Sequence, residues 1–359
     1  MVLAIHQAPT HPGGVTEIPI HVVAANDTPE QPSTTTTALP GARTVPDTPS
    51  PPRTVVGASN RLLNPGNDIG TRPFLVFEST NDASYGNVAV VSIDRLDGPR
   101  YVTSVPCDRV DYAADNGLCL AGGSGPIAIS TAYLLDTKFQ RVYTFPLFGL
   151  PSRARLSPDG RYGAVTTFVT GDSYTGSFST RTTLLDVTHQ KVLGDLESFD
   201  VSRDGQPMKS PDFNFWGVTF SHDGTHFYAT LGTGGMSYLI QGDLQAHTAR
   251  VLYPNVQCPS LSPDETRIAF KKGEELNGVG VWRLTVLNLS SMTETPLAET
   301  RSVDDQAEWL DNDHLLYSLP TENQTSFARP ATNVWEVPAD GSGAPRLFLT
   351  DAYSPTVLR

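Results

Sequence analysis

Asp304 and Asp305 stand side by side and are followed by Gln306, while Asp108, Arg109, Arg153, Asp212 and Asn214 lie upstream. If a fold gathers these side chains, three kinds of chemistry are open. Their oxygens could hold a hard cation such as Ca²⁺, with Asp304 and Asp305 the pair best suited to it. The carboxylates could act as acid and base in a lyase or hydrolase. Or they could hydrogen-bond one another and the loop backbone, which needs partners in any case. The third reading requires nothing beyond the fold and takes precedence, so no cofactor is required. Other chemistries lack their patterns. "GGSGP" and "GDSYTG" miss the G-x-S-x-G spacing of a nucleophile elbow. Neither a phosphate-binding G-x-x-x-x-G-K-[ST] nor an HExxH occurs, and "GTGGMS" departs from the dinucleotide fingerprint. His222 and His226, in "SHDGTHF", flank a turn; metal binding would want both rings on one side with a third ligand nearby, and the two read as surface histidines.

Composition narrows the partners. Lys and Arg number 25 against 38 Asp and Glu, a net charge of -13 that repels phosphate backbones and anionic lipid. Nucleic acid is therefore not an expected partner. No apolar run is long enough to span a membrane. "MVLAI" starts apolar, but His6, Pro9 and Pro12 follow at once, so it does not read as a secretory leader. Three cysteines cannot build a disulfide framework. Cys107 and Cys119 are the nearer pair, and whether they bridge is left open by their offset register.

The elements that must position these residues begin late. Residues 1–54 are dense in Pro and Thr and poor in large apolar side chains, and are expected to form a disordered tether. Residues 55–71 read as a lead-in able to dock. From residue 72 to 359 the periodicity is two, as in "FLVFES", "NVAVVSID" and "RLTVLNL", and the domain is all-β. One phrase recurs: "ARLSPDGRYGAV" (154–165), "VTFSHDGTHFYA" (218–229) and "PSLSPDETRIAF" (259–270), with weaker copies at 110–121 and 307–318. Each is a hairpin whose turn carries an aspartate, namely Asp115, Asp159, Asp223, Asp264 and Asp311. The aspartate can cap the turn's own N–H groups, and the following Gly supplies positive φ. The spacings of 44, 64, 41 and 47 residues are those of four-stranded propeller blades. The long gap implies an insertion, placed at residues 198–214. The expected architecture is a six-bladed β-propeller of antiparallel four-stranded blades. Its C-terminal strand, 353–358, completes the first blade and removes the open sheet edges.

"LSPDGRY" and "LSPDETRIAF" resemble the repeat of TolB-like, WD-type propellers. The stretches "PSRARLSPDGRY", "FNFWGVTFSHDGTHFYATL", "CPSLSPDETRIAFKK" and "DDQAEWLD" resemble actinobacterial TolB-like proteins. The resemblance covers roughly residues 100–359 and implies a propeller used for protein contacts and exported or held at the cell envelope. The residues themselves leave a cytoplasmic setting open. In a propeller the segments entering each blade share a face with the loops between second and third strands. Asp108, Arg109, Arg153, Asp212, Asn214, Asp304, Asp305 and Gln306 should therefore meet at one channel mouth. Phe213, Phe215 and Trp216 could add an aromatic wall there, although Trp216 and Trp309 also suit packing between blades. The polar loop at 171–181 should open on the same face. The first functional reading is a monomeric, non-catalytic scaffold presenting these loops to a protein or peptide. The alternative is a small-ligand or carbohydrate site at the mouth, Ca²⁺-assisted or not, and a lyase or hydrolase comes third.

Overall fold

The computed structural model describes residues 61–62, 73–123, 129–174, 177–321 and 330–359. The tether expected at residues 1–54 lies outside the described residues, as does most of the lead-in. Six sheets account for nearly all of what is described, and helix is confined to three single 3-10 turns. The chain is a six-bladed β-propeller.

Each blade runs from an inner strand at the channel to an outer one at the rim. The second blade is Arg109–Ala113, Asn116–Gly122, Ile129–Leu135 and Arg141–Phe148. The third is Leu150–Leu156, Tyr162–Thr170, Ser179–Asp186 and Lys191–Asp195. The fourth begins at Asn214–Phe220, the fifth at Gln257–Leu261 and the sixth at Glu308–Trp309. In the first blade the innermost strand is Ala352–Leu358, paired antiparallel with Phe74–Ser79. The last strand closes the ring as expected. Arg61–Leu62 adds a short parallel strand against Tyr101–Val102 at the outer edge of the same blade.

Strand alternation explains how the blades pack. Leu315 faces the fifth blade, in a cluster with Leu284, Val286 and Tyr317. Its neighbour Leu316 points the other way, into the first blade, against Leu75, Phe77 and Val357. Each such buried leucine contributes about 2 kcal/mol, and because both faces are used at every blade, no blade can leave the ring without exposing two apolar surfaces.

The recurrent turns follow the expected chemistry at four sites. At the third blade, Ser157 Oγ donates to Asp159 Oδ1 and the Arg161 N–H donates to the same oxygen at 3.0 Å. Asp223 accepts from the N–H groups of Thr225 and His226, Asp264 from that of Thr266, and Asp311 from those of Asp313 and His314. Gly160 and Gly224 have φ near +70°, and in the fifth blade Glu265 adopts the same left-handed conformation at +58°. Asp115 departs from the pattern. Ala113 pairs directly with Asn116, so the turn holds two residues, with Ala114 at φ +50°. Among the described residues, no N–H donates to the Asp115 side chain.

The insertion falls where the 64-residue gap placed it, and it is itself structured. Asp200–Arg203 and Gln206–Met208 form a hairpin whose first strand runs parallel to the outer strand of the fourth blade, giving a six-stranded sheet.

Several inner strands carry a bulge partway along the channel. Between Trp216 and Thr219, between Gln257 and Ser260, and between Tyr353 and Thr356, the inner strand advances three residues while its partner advances two. Gly217, Cys258 and Ser354 take left-handed φ at these points. A Cβ on Gly217 would come within 2.6 Å of the Cys258 Cα, so the fourth and fifth blades meet here over a glycine.

Cys107 and Cys119 are joined in a disulfide across a Cα separation of 5.6 Å, and Cys258 is a buried free thiol. Two outcomes test this description. Asp159→Ala should lower stability by about 1 kcal/mol, whereas Asp115→Ala should stay within about 0.5 kcal/mol of wild type, both read from urea unfolding midpoints. Denatured but unreduced protein should titrate as one thiol per chain, and reduction should cost about 3 kcal/mol, as expected of a loop of this length.

Candidate functional site

The propeller channel has two halves of different character. Toward the turn-bearing face, the six inner strands each contribute one inward polar side chain: Thr356, Asp111, Arg155, Thr219, Ser260 and Glu308. Arg155 lies 2.5 Å from Glu308 Oε2 and 3.8 Å from Asp111 Oδ1. Asp111 also accepts from Thr356 Oγ1 at 2.7 Å and from the Leu156 N–H at 2.6 Å. Burial alone would lower the Arg155 pKa, but Glu308 and Asp111 hold it above its ordinary value. In this half Arg155, Asp111, Glu308 and Thr356 form an ionic knot on the wall of a cavity of about 400 Å³.

The opposite mouth holds a cavity of about 480 Å³. Asp108, Arg109 and Asp304, all expected at the mouth, line it together with Glu78 and Tyr353. The Arg109 guanidinium sits 4.2 Å from the centre of the Tyr353 ring and donates from Nε to the Ser152 carbonyl. Asp108 Oδ2 accepts from the Gly122 N–H at 2.6 Å. Asp304 is held by the Nζ of Lys271, a lysine with no exposed surface, and by Arg153 at 3.7 Å. Burial would raise the Asp304 carboxyl, but these two cations keep it below its ordinary value.

The other expected members divide. Asp305 is buried, accepting from the Gln306 and Ser318 N–H groups. Gln306 donates to the carbonyls of Val218 and Pro259, tying the sixth blade to the fourth and fifth. Both serve the framework. With Asp304 between two cations and Asp305 turned to backbone amides, the pair is poorly suited to Ca²⁺. Asp212 and Asn214 are not at the mouth cavity. They line a separate cleft of about 740 Å³ on the same face, between the third, fourth and fifth blades.

That cleft is walled by Tyr174, Phe178, Trp216 and Trp282. Tyr174 and Phe178 come from the loop at 171–181, whose Thr175 and Gly176 lie outside the described residues. The loop is less polar in effect than in composition, because Tyr174 is buried against Trp216 with ring centres 5.3 Å apart. Of the three residues expected to form an aromatic wall, only Trp216 does so. Phe215 and Phe213 pack into the core of the fourth blade. Trp309 is buried between blades, donating from Nε1 to the Ser260 carbonyl. Lys271 joins the two sites: its Nζ lies 4.4 Å from the Tyr174 ring centre and 4.7 Å from that of Trp282. His222 and His226 face the carboxylates of Glu265 and Asp223, on the turn-bearing side.

Sequence reasoning missed Lys271, Glu78, Tyr353 and Trp282. "IAFKK" offered one signal for Lys271, since at a period of two it shares the buried face of Ala269, opposite to Ile268 and Phe270.

No protein-family model and no curated protein matches the chain. Solved structures do. TolB from Acinetobacter baumannii superposes with a TM-score of 0.54 at 15% identity, over 80% of this chain and 66% of that one. The fold is that of a TolB-like propeller. A chain of a nidogen/laminin complex gives a TM-score of 0.50 at 13% identity, over 79% of this chain and 98% of that one. At these identities the likeness is one of architecture, and this chain spans 66% of the length of the TolB chain it matches.

Glu78 provides a test of the mouth. Burial raises its pKa to about 8, against the pull of Arg109 and with a push from Asp108. The unfolded chain releases this proton near 4.5 and the folded protein near 8, so folding retains a proton across that window and stability falls as pH rises through it. Glu197, raised by burial to about 7, adds to the same slope. Glu78→Gln should flatten the dependence, most clearly between pH 7 and 8, where Glu197 contributes least. Urea midpoints against pH for both proteins measure the difference.

Proposed function

We propose that the chain is a binding scaffold that receives a protein or peptide at the mouth lined by Asp108, Arg109, Asp304 and Tyr353. The observation that carries this reading is the way the mouth's charges are held. Asp304 is fixed by Lys271 and Arg153, Asp108 by a backbone amide, and Arg109 by Tyr353 and a carbonyl. Groups anchored this way offer a preorganised pattern of donors and acceptors, which favours recognition. Acid–base work asks for a pKa near the working pH; Glu78, raised by burial to about 8, meets that condition at this mouth, whereas Asp304, held ionised by its two cations, does not. A chain in a nidogen/laminin complex shares the architecture, which is support from fold alone. The Cys107–Cys119 bridge favours an oxidising compartment such as the cell envelope or the exterior.

The full chain, immobilised and exposed to envelope and cytosolic fractions, should retain a protein that Arg109→Glu no longer retains. Val142→Ser, on the outer strand of the second blade, should retain it fully. Equal capture by the Arg109 variant, with its unfolding midpoint unchanged, would overturn the reading.

A further inference from the structure

From the cleft between the third, fourth and fifth blades, we infer a second binding site, separate from the mouth, for a neutral saccharide. Two polar atoms lead to it. Among the described residues, the Trp216 Nε1–H and Gln257 Oε1 are buried and have no hydrogen-bond partner, and both residues line this cleft. A donor and an acceptor left unpaired at one cleft are costly in isolation, which marks a place where a ligand supplies both. The Asn255, Asn214 and Thr233 side chains of the lining are already engaged. The Asn255 amide bonds both backbone groups of Gly273, and the Asn214 side chain bonds Thr180 and Asp212.

The remaining chemistry selects the ligand. Asp212 is the single formal charge in the lining. Hydrogen bonds from Ser210, Thr233 and Gly234 lower its pKa to about 2, so it is ionised at neutral pH and disfavours phosphate or carboxylate ligands. A cation would need rings boxed around a void. Here Phe178 meets Tyr174 and Trp216 edge-on, at 5.3 and 5.4 Å, and Tyr174 leans on Trp216, so the rings form a continuous wall rather than a box. A peptide main chain would want a free strand edge. At the lining positions themselves the backbone is taken: Asn214, Gly232 and Ser237 are paired in one ladder, Thr233 pairs with Met236, and Asn255 bonds both backbone groups of Gly273. A pyranose meets the demands together: a C–H face for the aromatic wall, and hydroxyls that both donate to Gln257 or Asp212 and accept from Trp216. Gly232 is part of the construction. A Cβ there would lie 2.7 Å from the Trp216 ring, so glycine lets the indole lie flat on the strand.

The test titrates the full chain with maltotriose, cellotriose, mannotriose and N,N′-diacetylchitobiose, followed by tryptophan fluorescence and saturation-transfer NMR. At least one should bind saturably. Trp282→Ala and Gln257→Met should each weaken that binding about tenfold. Trp216→Phe, which keeps the ring packing and removes the N–H, should do the same if the alanine variant fails to fold. Val142→Ser should bind as wild type does. Failure of all four sugars to bind would overturn the proposal. So would saturable binding of tetramethylammonium or of a phenylalanine-containing tripeptide at the cleft without any sugar response, or sugar binding that none of the three cleft variants weakens.

Discussion

Everything in this propeller depends on a ring that is closed without a covalent link, and the knot around Arg155 is where that closure is concentrated. The last strand enters the first blade between the second and sixth. Thr356 bonds Asp111 of the second blade, the Val357 N–H donates to Glu308 of the sixth, and Arg155 of the third bridges both carboxylates. Buried ion pairs of this kind add little net stability, because desolvation offsets their attraction. Their value lies in register: a closing strand displaced by one residue would take the Thr356 hydroxyl and the Val357 N–H away from the buried carboxylates of Asp111 and Glu308. Apolar packing between blades supplies the energy, and the knot selects the alignment.

Above that knot the channel is dressed differently. Lys271 lies between the mouth and the cleft, bonded to Asp304 on one side and resting on Tyr174 and Trp282 on the other. A lysine with no exposed surface is tolerable only with such partners, so the ion pair and the aromatic wall support each other. The two sites are separate in lining and chemistry, yet they share this one cation as part of their foundation.

The architecture was legible in the sequence because turn chemistry is local. Four aspartates announce their hairpins through residues two or three positions away, and the blade period follows from their spacing. Asp115 misled because its sequence carries the same letter in a turn too short to use it. The candidate cluster was legible as a face but not as a site. Topology placed Asp212 and Asn214 on the same side as Asp304, whereas the division between mouth and cleft depends on Tyr174 folding inward from the loop at 171–181. Asp305 and Gln306 look like ligands in sequence and prove to be partners for buried backbone, a distinction fixed by contacts with residues up to 88 positions away. Lys271, Glu78 and Tyr353 were missed because strand alternation alone does not say which blade edge meets the channel.

The bulges at Gly217, Cys258 and Ser354 have a consequence for how such a molecule can change over time. Each inserts one residue into an inner strand and so resets the in–out phase between its two halves. Trp216, Gln257 and Tyr353 on one side of the break thus answer to a different pattern from Thr219, Ser260 and Thr356 on the other. Mutation can redecorate the receptive end of the barrel while the fastening end keeps its alignment, and diversification of specificity is insulated from the integrity of the ring.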